Sequence, residues 1–337
     1  MGGKVRRSAQ VKKPPILFAK TQKIIASLEQ RLGAPLLCYW TSPNGSVCHN
    51  DVTSLYEVLG RIGAHDTMYL SIKSDGGSGE ASLRLINLLR QYTKRIVALV
   101  SRECASAATM MALGADEIRM GPLAYLTSVD TSLRHELSPA DIDNDLVSVS
   151  QDELLRVIRL WKETPADNAG NPYETLFKYV HPLVVGAVDR SSSLSVQLCR
   201  EILSHHIPDE TVAFKIAQQL NSAYPSHEYP ITLREASRIG LNVVPLEPDI
   251  NARLLELNEL HAEMGQRALT DYDELNYHSH EIGNILEGRG VQIFYQRDKD
   301  WHYRKEERRW VPMNDQSAWM RVERAGRAIK SSVFHLR

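Results

Sequence analysis

The chain has 337 residues, of which 43% are hydrophobic and 24% charged, and its 40 Lys and Arg nearly balance 41 Asp and Glu. This composition supplies enough apolar surface to offset chain entropy and excludes wholesale disorder, while the net charge of −1 excludes a uniformly basic nucleic-acid-binding protein. The neutral total conceals two basic ends around an acidic centre. Residues 1–15 contain basic residues and no acid, and residues 289–337 contain 12 Lys and Arg against 6 Asp and Glu.

The predicted elements begin after a basic tail over residues 1–15. Hydrophobic periodicity predicts helices and strands in alternation up to residue 126: a helix over 16–32, a strand over 35–40, a helix over 52–62, a strand over 67–72, a helix over 80–92, a strand over 95–100, a helix over 105–113, and strands over 117–120 and 123–126. This alternation predicts an α/β fold with a parallel-sheet core.

The second half of the chain has a different pattern. It predicts a helical extension followed by another amphipathic helix: 150–163, 173–206, 209–221 and 232–239, then 249–267. Aromatic and charged residues then alternate over 290–322, which predicts a small β-hairpin unit. We therefore expect one large domain over 16–248 and a small C-terminal α+β unit over 249–337.

Two features that the sequence lacks bear on the cellular compartment: a long apolar stretch and CxxC spacing. No apolar stretch has the length of a signal-peptide core or a transmembrane helix, so we expect a cytoplasmic protein with no membrane span. The four cysteines lack CxxC spacing and are expected to be reduced, buried thiols: Cys38, Cys48, Cys104 and Cys199.

Histidine spacing gives no sign of a metal centre. The chain contains two close pairs, His205-His206 and His278/His280, and a more isolated His181. None belongs to an HExxH motif or lies near paired cysteines. We therefore expect no metal ligand and no cofactor.

The first candidate motif is the turn Ser74-Asp75-Gly76-Gly77, which follows a predicted strand and precedes a helix. Two glycines permit positive φ and let backbone N–H groups face a site without an intervening Cβ. Such a turn can bind an anion or a developing oxyanion, although glycine pairs after strands also form plain turns. The GxxxxGK[ST] pattern of a nucleoside-triphosphate loop is absent.

The second candidate motif is Cys104-Ala-Ser106-Ala-Ala, which follows a buried strand and opens an apolar helix. The hydroxyl of Ser106 is expected at the positive end of the helix dipole, where an alkoxide or its tetrahedral adduct is favoured. The small neighbours leave room for a substrate. The structural alternative is a serine that caps the helix.

Together these motifs resemble those of the Clp-type and signal-peptide-peptidase serine peptidases of the crotonase-like fold. The resemblance extends over roughly residues 20–250 and is closest to the serine dehydrogenase proteinase family. It rests on several blocks in the same order: Ile72-x-Ser-x-Gly-Gly77, Cys104-Ala-Ser106-Ala-Ala-x-Met110, Leu113-Gly-Ala-Asp-Glu-Ile118, Gly121-Pro-Leu-x-x-Leu-Thr127, Ala124–Thr131, His181–Arg190 and Tyr224–Leu241.

The resemblance implies an ATP-independent serine endopeptidase with a crotonase-like, Clp-peptidase-like core. It implies that Ser106 is the nucleophile and that Gly76 or Gly77, with the N–H of Ala107, forms the oxyanion hole. It also implies a peptide or protein substrate and assembly into a ring-like homo-oligomer.

The general base stays open because the chain departs here from its relatives. Lys162 is the first lysine after the serine, but its helix position predicts a solvated side chain, and a catalytic lysine needs burial to lower its pKa. Lys73 lies beside the glycine turn, His227 belongs to a block shared with the family, and His135 lies 29 residues after the serine. Asp130 would orient whichever base is used.

Two other classes of function compete with the peptidase. One is acyl-CoA chemistry on the same fold, which uses the oxyanion turn without a serine. The other is a catalytically silent regulatory or binding module. In that case the basic, Trp-containing residues 289–337 would contact nucleic acid or a protein partner. Those aromatic residues could instead form the core of their own unit, or the unit could lie over the active-site face.

Overall fold

The computed structural model describes residues 10–130, 132–141, 146–163, 171–326 and 328–336. Helices α1 to α10 in this part of the chain are Phe18–Leu32, His49–Ile62, Gly79–Arg90, Ala107–Leu113, Gln151–Glu163, Pro172–Leu176, Pro182–Leu203, Glu210–Ser222, Leu233–Arg238 and Pro248–Met264. Strands β1 to β15 are Leu36–Thr41, His65–Lys73, Thr93–Val100, Glu103–Cys104, Glu117–Met120, Tyr125–Leu126, Ser132–Leu133, Val149–Ser150, Val243–Pro245, Ala268–Asp273, Asn276–Gly288, Val291–Arg304, Arg309–Asp315, Ala318–Ala325 and Ala328–Val333.

The centre of the large sheet is parallel. Strands β1, β2, β3, β5 and β9 are neighbours in that order, and every pair among them is parallel. Helices α2, α3 and α4 form the first three crossovers, as parallel pairing requires. The prediction of an α/β fold with parallel strands is therefore confirmed. The carboxyl ends of β2 and β3 lie at the same edge, which is where α/β folds place their ligands.

Alternate residues of the central strands face two different helical layers. In β1, Leu37 and Tyr39 belong to the cluster that includes α2, α3 and α4, whereas Leu36 and Cys38 pack with residues of α1 and α10. Because both faces of these strands are buried, their sequences are almost continuously apolar. The sheet is thus packed between two helical layers, which hold its central strands in place.

The C-terminal strands continue this sheet. Strand β11 pairs antiparallel with β1, Cys38 opposite Glu287, and β12, β14 and β15 follow outward, with β10 and β13 alongside. The sequence predicts a small separate unit here. An unpaired β1 edge would expose its backbone donors and acceptors, and pairing with β11 covers them. The large sheet contains strands from both sides of residue 248. The domain boundary at that residue stays a prediction.

Four aromatic residues of β11, β12 and β13 pack on one another, whereas Trp319 and Phe294 belong to the hydrophobic clusters of the main sheet. The ring of Tyr277 stacks on Trp301 at 6.1 Å between centroids and meets Trp310 edge-on at 4.6 Å. Tyr303 lies 5.3 Å from Trp310. These contacts correspond to the alternative in which the aromatic residues form a core of their own.

None of the four cysteines forms a disulfide; Cys48 is half-buried and the other three are buried. Within the described ranges, every helix is too short or too polar to cross a membrane.

Candidate active site

The glycine turn after β2 has a backbone that only glycine accommodates. Gly76 and Gly77 have φ angles of +109° and +145°. The N–H of Val47 donates to the carbonyl of Gly76 at 2.7 Å, and the N–H of Ser78 donates to the carbonyl of Val47 at 2.9 Å. A Cβ at Gly77 would lie 2.4 Å from that Val47 oxygen. The turn is thus held by backbone hydrogen bonds, with Gly77 exposed at its tip.

Ser106 forms a sharp bend between β4 and α4. Its φ of +52° is uncommon for a residue with a Cβ, and such strained residues concentrate at functional sites. Its N–H donates to Oγ1 of Thr127 at 2.8 Å, which holds the bend in place. The hydroxyl makes no capping hydrogen bond to α4, so the helix-cap alternative does not account for this serine.

The two turns are in direct contact. The N–H of Ser74 donates to the carbonyl of Glu103 at 3.1 Å, and the N–H of Ala105 donates to the carbonyl of Ser74 at 2.9 Å. A Cβ on Gly76 would lie 2.6 Å from Cβ of Ser106. The missing side chain at Gly76 is therefore what allows the serine to approach the glycine turn.

Two backbone N–H groups at this contact are available to a ligand. The N–H of Gly76 donates to Oγ of Ser74 at 3.2 Å and is engaged. Among the hydrogen bonds of the described residues, the N–H groups of Gly77 and Ala107 have no acceptor. The sequence leaves Gly76 and Gly77 as equivalent candidates; the hydrogen bonding favours Gly77.

His227 and Asp130 form a hydrogen-bonded pair. Nδ1 of His227 lies 2.8 Å from Oδ1 of Asp130, and the hydroxyl of Ser128 also donates to this carboxylate. Burial acts to raise the pKa of Asp130, but the hydrogen bonds from His227 and Ser128 outweigh it and the pKa is lowered. The bond to Asp130 raises the pKa of His227 against the opposing effect of burial. An ionised Asp130 thus orients the ring, with Nδ1 protonated and Nε2 free to accept a proton.

One cleft of about 380 Å³ connects these groups. Asp75 belongs to the glycine turn, Ala105 precedes Ser106, and His227 carries the imidazole of the pair. The lining residues are Asp75, Ala105, Tyr125, Thr127, His227, Glu228 and Pro230. His227 therefore lines one concave surface together with residues that adjoin the serine bend and the glycine turn.

The other candidate bases are placed elsewhere or already engaged. Lys162 is exposed on the last turn of α5. The ammonium of Lys73 lies 3.0 Å from a carboxylate oxygen of Glu103. Nδ1 of His135 accepts the N–H of Leu137 at 3.1 Å. The cleft lining given above includes none of these three bases.

Sequence reasoning missed the supporting roles of Thr127 and Ser128. Oγ1 of Thr127 accepts the N–H of Ser106 and donates to the carbonyl of Ser128 at 3.1 Å. The hydroxyl of Ser128 contacts Asp130 and, at 3.2 Å, the carbonyl of His227. This short segment thus connects the serine to the His–Asp pair. The available signal was the run of hydroxyl residues before Asp130 at the end of an apolar strand.

No protein-family model and no curated protein matches the chain. Two solved structures similar to it are mutants of the 1510-N membrane-bound stomatin-specific protease, each at 14% sequence identity. The first, in complex with a substrate peptide, has a TM-score of 0.37 and a match covering 68% of this chain and 81% of that one. The second has a TM-score of 0.38 and coverages of 70% and 88%. A sequence identity of 14% and TM-scores below 0.4 do not assign a function to this site.

Proposed function

We propose that this chain is a serine peptidase that uses Ser106 as its nucleophile, His227 as general base and Asp130 as the group that orients the base. The observation that carries the proposal is the shared cleft, which His227 lines together with residues adjoining both the serine bend and the glycine turn. The hydrogen bond between His227 and Asp130 supports the assignment of the base. A nucleophile, a base and an acid in this relation form the generic set for acyl transfer.

In this mechanism, Oγ of Ser106 attacks the carbonyl carbon of a peptide bond, and its proton passes to Nε2 of His227. The tetrahedral oxyanion accepts hydrogen bonds from the N–H groups of Gly77 and Ala107. One such donor lowers the barrier by about 3–4 kcal/mol. His227 then gives its proton to the leaving amine, and water hydrolyses the acyl-enzyme by the same steps in reverse.

Labelling with a fluorophosphonate probe tests the nucleophile. We expect wild type to be labelled and Ser106→Ala to be silent. Ser204→Ala is the matched control and should be labelled like wild type, because Ser204 is exposed at the end of α7 and its hydroxyl donates to the carbonyl of Glu201 in the same helix. An unlabelled wild-type oligomer, or equal labelling of Ser106→Ala, would overturn the proposal and favour acyl-CoA chemistry or a silent binding module.

The same assay discriminates between the candidate bases. We expect His227→Gln to lower the rate of labelling by about 10²–10⁴-fold, the usual contribution of a general base. Lys162→Ala should label at the wild-type rate, because Lys162 is solvent-exposed outside the cleft. The reverse result would identify Lys162 as the base.

The finer structural expectations form part of this proposal: a crotonase-like core and a homo-oligomer. Large apolar side chains left exposed on or next to α5, α6 and α7 support self-assembly, since monomers rarely leave such surfaces uncovered: Leu155, Val157, Trp161, Tyr173, Phe177 and Leu183. Light scattering of the purified chain tests the oligomer. A monomer at micromolar concentration would contradict the homo-oligomer. The labelling test of Ser106 does not depend on that outcome.

A further inference from the structure

A cluster of chemically distinctive side chains lies outside the proposed active site, on strands β11 and β12. His278 and His280 are two residues apart on β11, so they share one face of the sheet. Asp298 on β12 lies opposite His280 in the register. One ligand-type atom from each of these three residues lies within 4.8 Å of the others, and Nε2 of His278 is 3.5 Å from Oδ1 of Asp298.

Both imidazoles are buried and incompletely bonded. His278 is 6% exposed and His280 is 2% exposed. Within the described ranges, Nε2 of His278 and both ring nitrogens of His280 have no hydrogen bond of normal geometry, although the side chain of Gln296 approaches the His280 ring. Buried polar groups are almost always partnered, so three such nitrogens in one place require an explanation. By contrast, Nε2 of His206 contacts the carbonyl of Leu113 at 2.8 Å.

The two imidazole rings lie side by side, with centroids 6.0 Å apart, among charged groups of both signs. Lys13 faces His280 from the N-terminal segment and opposes a cation there. The carboxylate of Asp298 acts on His280 more strongly than Lys13 does, and Asp300 places a second carboxylate beside His278.

Asp300 supplies the outer support that metal-binding histidines usually have. Its Oδ1 lies 2.9 Å from Nδ1 of His278, and its Oδ2 accepts the amide of Asn314 at 2.9 Å. When His278 binds a cation through Nε2, its remaining ring proton lies at Nδ1 and is donated to Asp300. This carboxylate–histidine arrangement is the one that orients metal ligands.

We infer that His278, His280 and Asp298 form a binding site for Zn²⁺, with water as the fourth ligand and Asp300 orienting His278. Zinc bonds of 2.0–2.2 Å place tetrahedral ligands about 3.3–3.6 Å apart. The His278–Asp298 distance already fits, and small ring rotations would bring His280 into place. Two nitrogen ligands exclude a site built for Mg²⁺ or Ca²⁺, which take oxygen ligands.

Titration of the metal-free full-length chain with Zn²⁺ by calorimetry tests the site. Wild type should bind one tight zinc ion per chain and no Mg²⁺ at the same concentration. We expect His280→Gln and Asp298→Asn to weaken zinc affinity at least 100-fold, and Asp300→Asn to weaken it about 10–100-fold. Zinc should also raise the thermal midpoint of wild type but not of His280→Gln.

The matched control is His302→Gln. His302 also lies on β12, but its Nδ1 contacts the amide oxygen of Asn276 at 2.9 Å, outside the cluster. This variant should bind zinc like wild type. Circular dichroism and fluorophosphonate labelling report whether each variant is folded. Wild type without a tight zinc site, or unchanged affinity in folded His280→Gln and Asp298→Asn, would overturn the inference.

Discussion

At the scale of single residues, the His227–Asp130 pair decides the pH at which the proposed site works. The base acts only when its ring is neutral, so the rate of acylation should rise as pH rises through the pKa of His227. Because the hydrogen bond to Asp130 raises that pKa above its ordinary value of 6.5, the rising limb should be centred above 6.5.

Asp130→Asn should shift this limb to lower pH and reduce the plateau rate. The variant removes the negative charge that raises the pKa of His227, leaving the burial that lowers it. Loss of the orienting carboxylate should also slow acylation by about 10³–10⁴-fold. The measurement is the rate of fluorophosphonate labelling as a function of pH. Asp66→Asn is the control and should leave the limb in place, because Asp66 is exposed beside Lys94 and does not line the cleft. A limb that does not move in Asp130→Asn would exclude the proposed role of Asp130.

At the scale of elements, the contact between the glycine turn and the serine bend depends on backbone conformation. The strand β2 and the short strand β4 deliver both turns to the same edge, through the bridge between Ser74 and Cys104. Positive φ at Gly76 and the close approach of Ser106 then leave no space for a side chain at residue 76.

Gly76→Ala should therefore destabilise the protein and abolish labelling. The strained backbone alone costs about 1–3 kcal/mol, and the new Cβ would lie 2.6 Å from Cβ of Ser106. Gly60→Ala is the control, because Gly60 lies within α2 and a Cβ there meets nothing within 4 Å. It should raise the free energy of unfolding by about 0.5–1 kcal/mol. Urea unfolding measures the change in stability, and labelling of Ser106 at urea concentrations well below the unfolding transition measures the change in activity. Normal labelling of folded Gly76→Ala would contradict the close contact between Gly76 and Ser106.

At the scale of the whole molecule, a buried polar cluster joins the C-terminal strands to the core. Glu287 on β11 is fully buried and accepts hydrogen bonds from Thr21 at 2.6 Å, Gln22 at 2.8 Å and Gln292 at 2.7 Å. Nε2 of His261 lies 2.9 Å from the same carboxylate. The cluster connects α1, α10, β11 and β12, so hydrogen bonds join the C-terminal strands to the first helix.

Glu287→Ala should lower the free energy of unfolding by about 3–5 kcal/mol, because the buried partners lose their shared acceptor. The continuous sheet predicts that tryptophan fluorescence and Ser106 labelling are lost together as urea is raised. Glu263→Ala, exposed on α10, should be neutral. A separate early transition of the C-terminal tryptophans, with labelling retained, would instead show that residues 249–337 form an independent unit.

Much of the parallel core could be predicted from the chain itself, because its helices and strands carry local periodicity. The two turns could also be found, since glycine pairs and a serine between small residues are local signals. The C-terminal strands show the limit: their alternation predicts strands, but pairing between β11 and β1 joins residues about 250 apart, as Cys38 and Glu287 illustrate.

With the resemblance to known peptidases supplying Ala107, order along the chain was sufficient to single out Ser106, Gly76 and Gly77, because such turns carry local signals. It left the base open among four residues, and it assigned no metal role to His278 and His280. Those choices depend on distance and burial. Asp130 and His227 are 97 residues apart, and Asp298 lies on the strand next to the one that carries His278 and His280. Folding brings such groups together and removes them from water, and only then do their pKa values and possible ligands become defined.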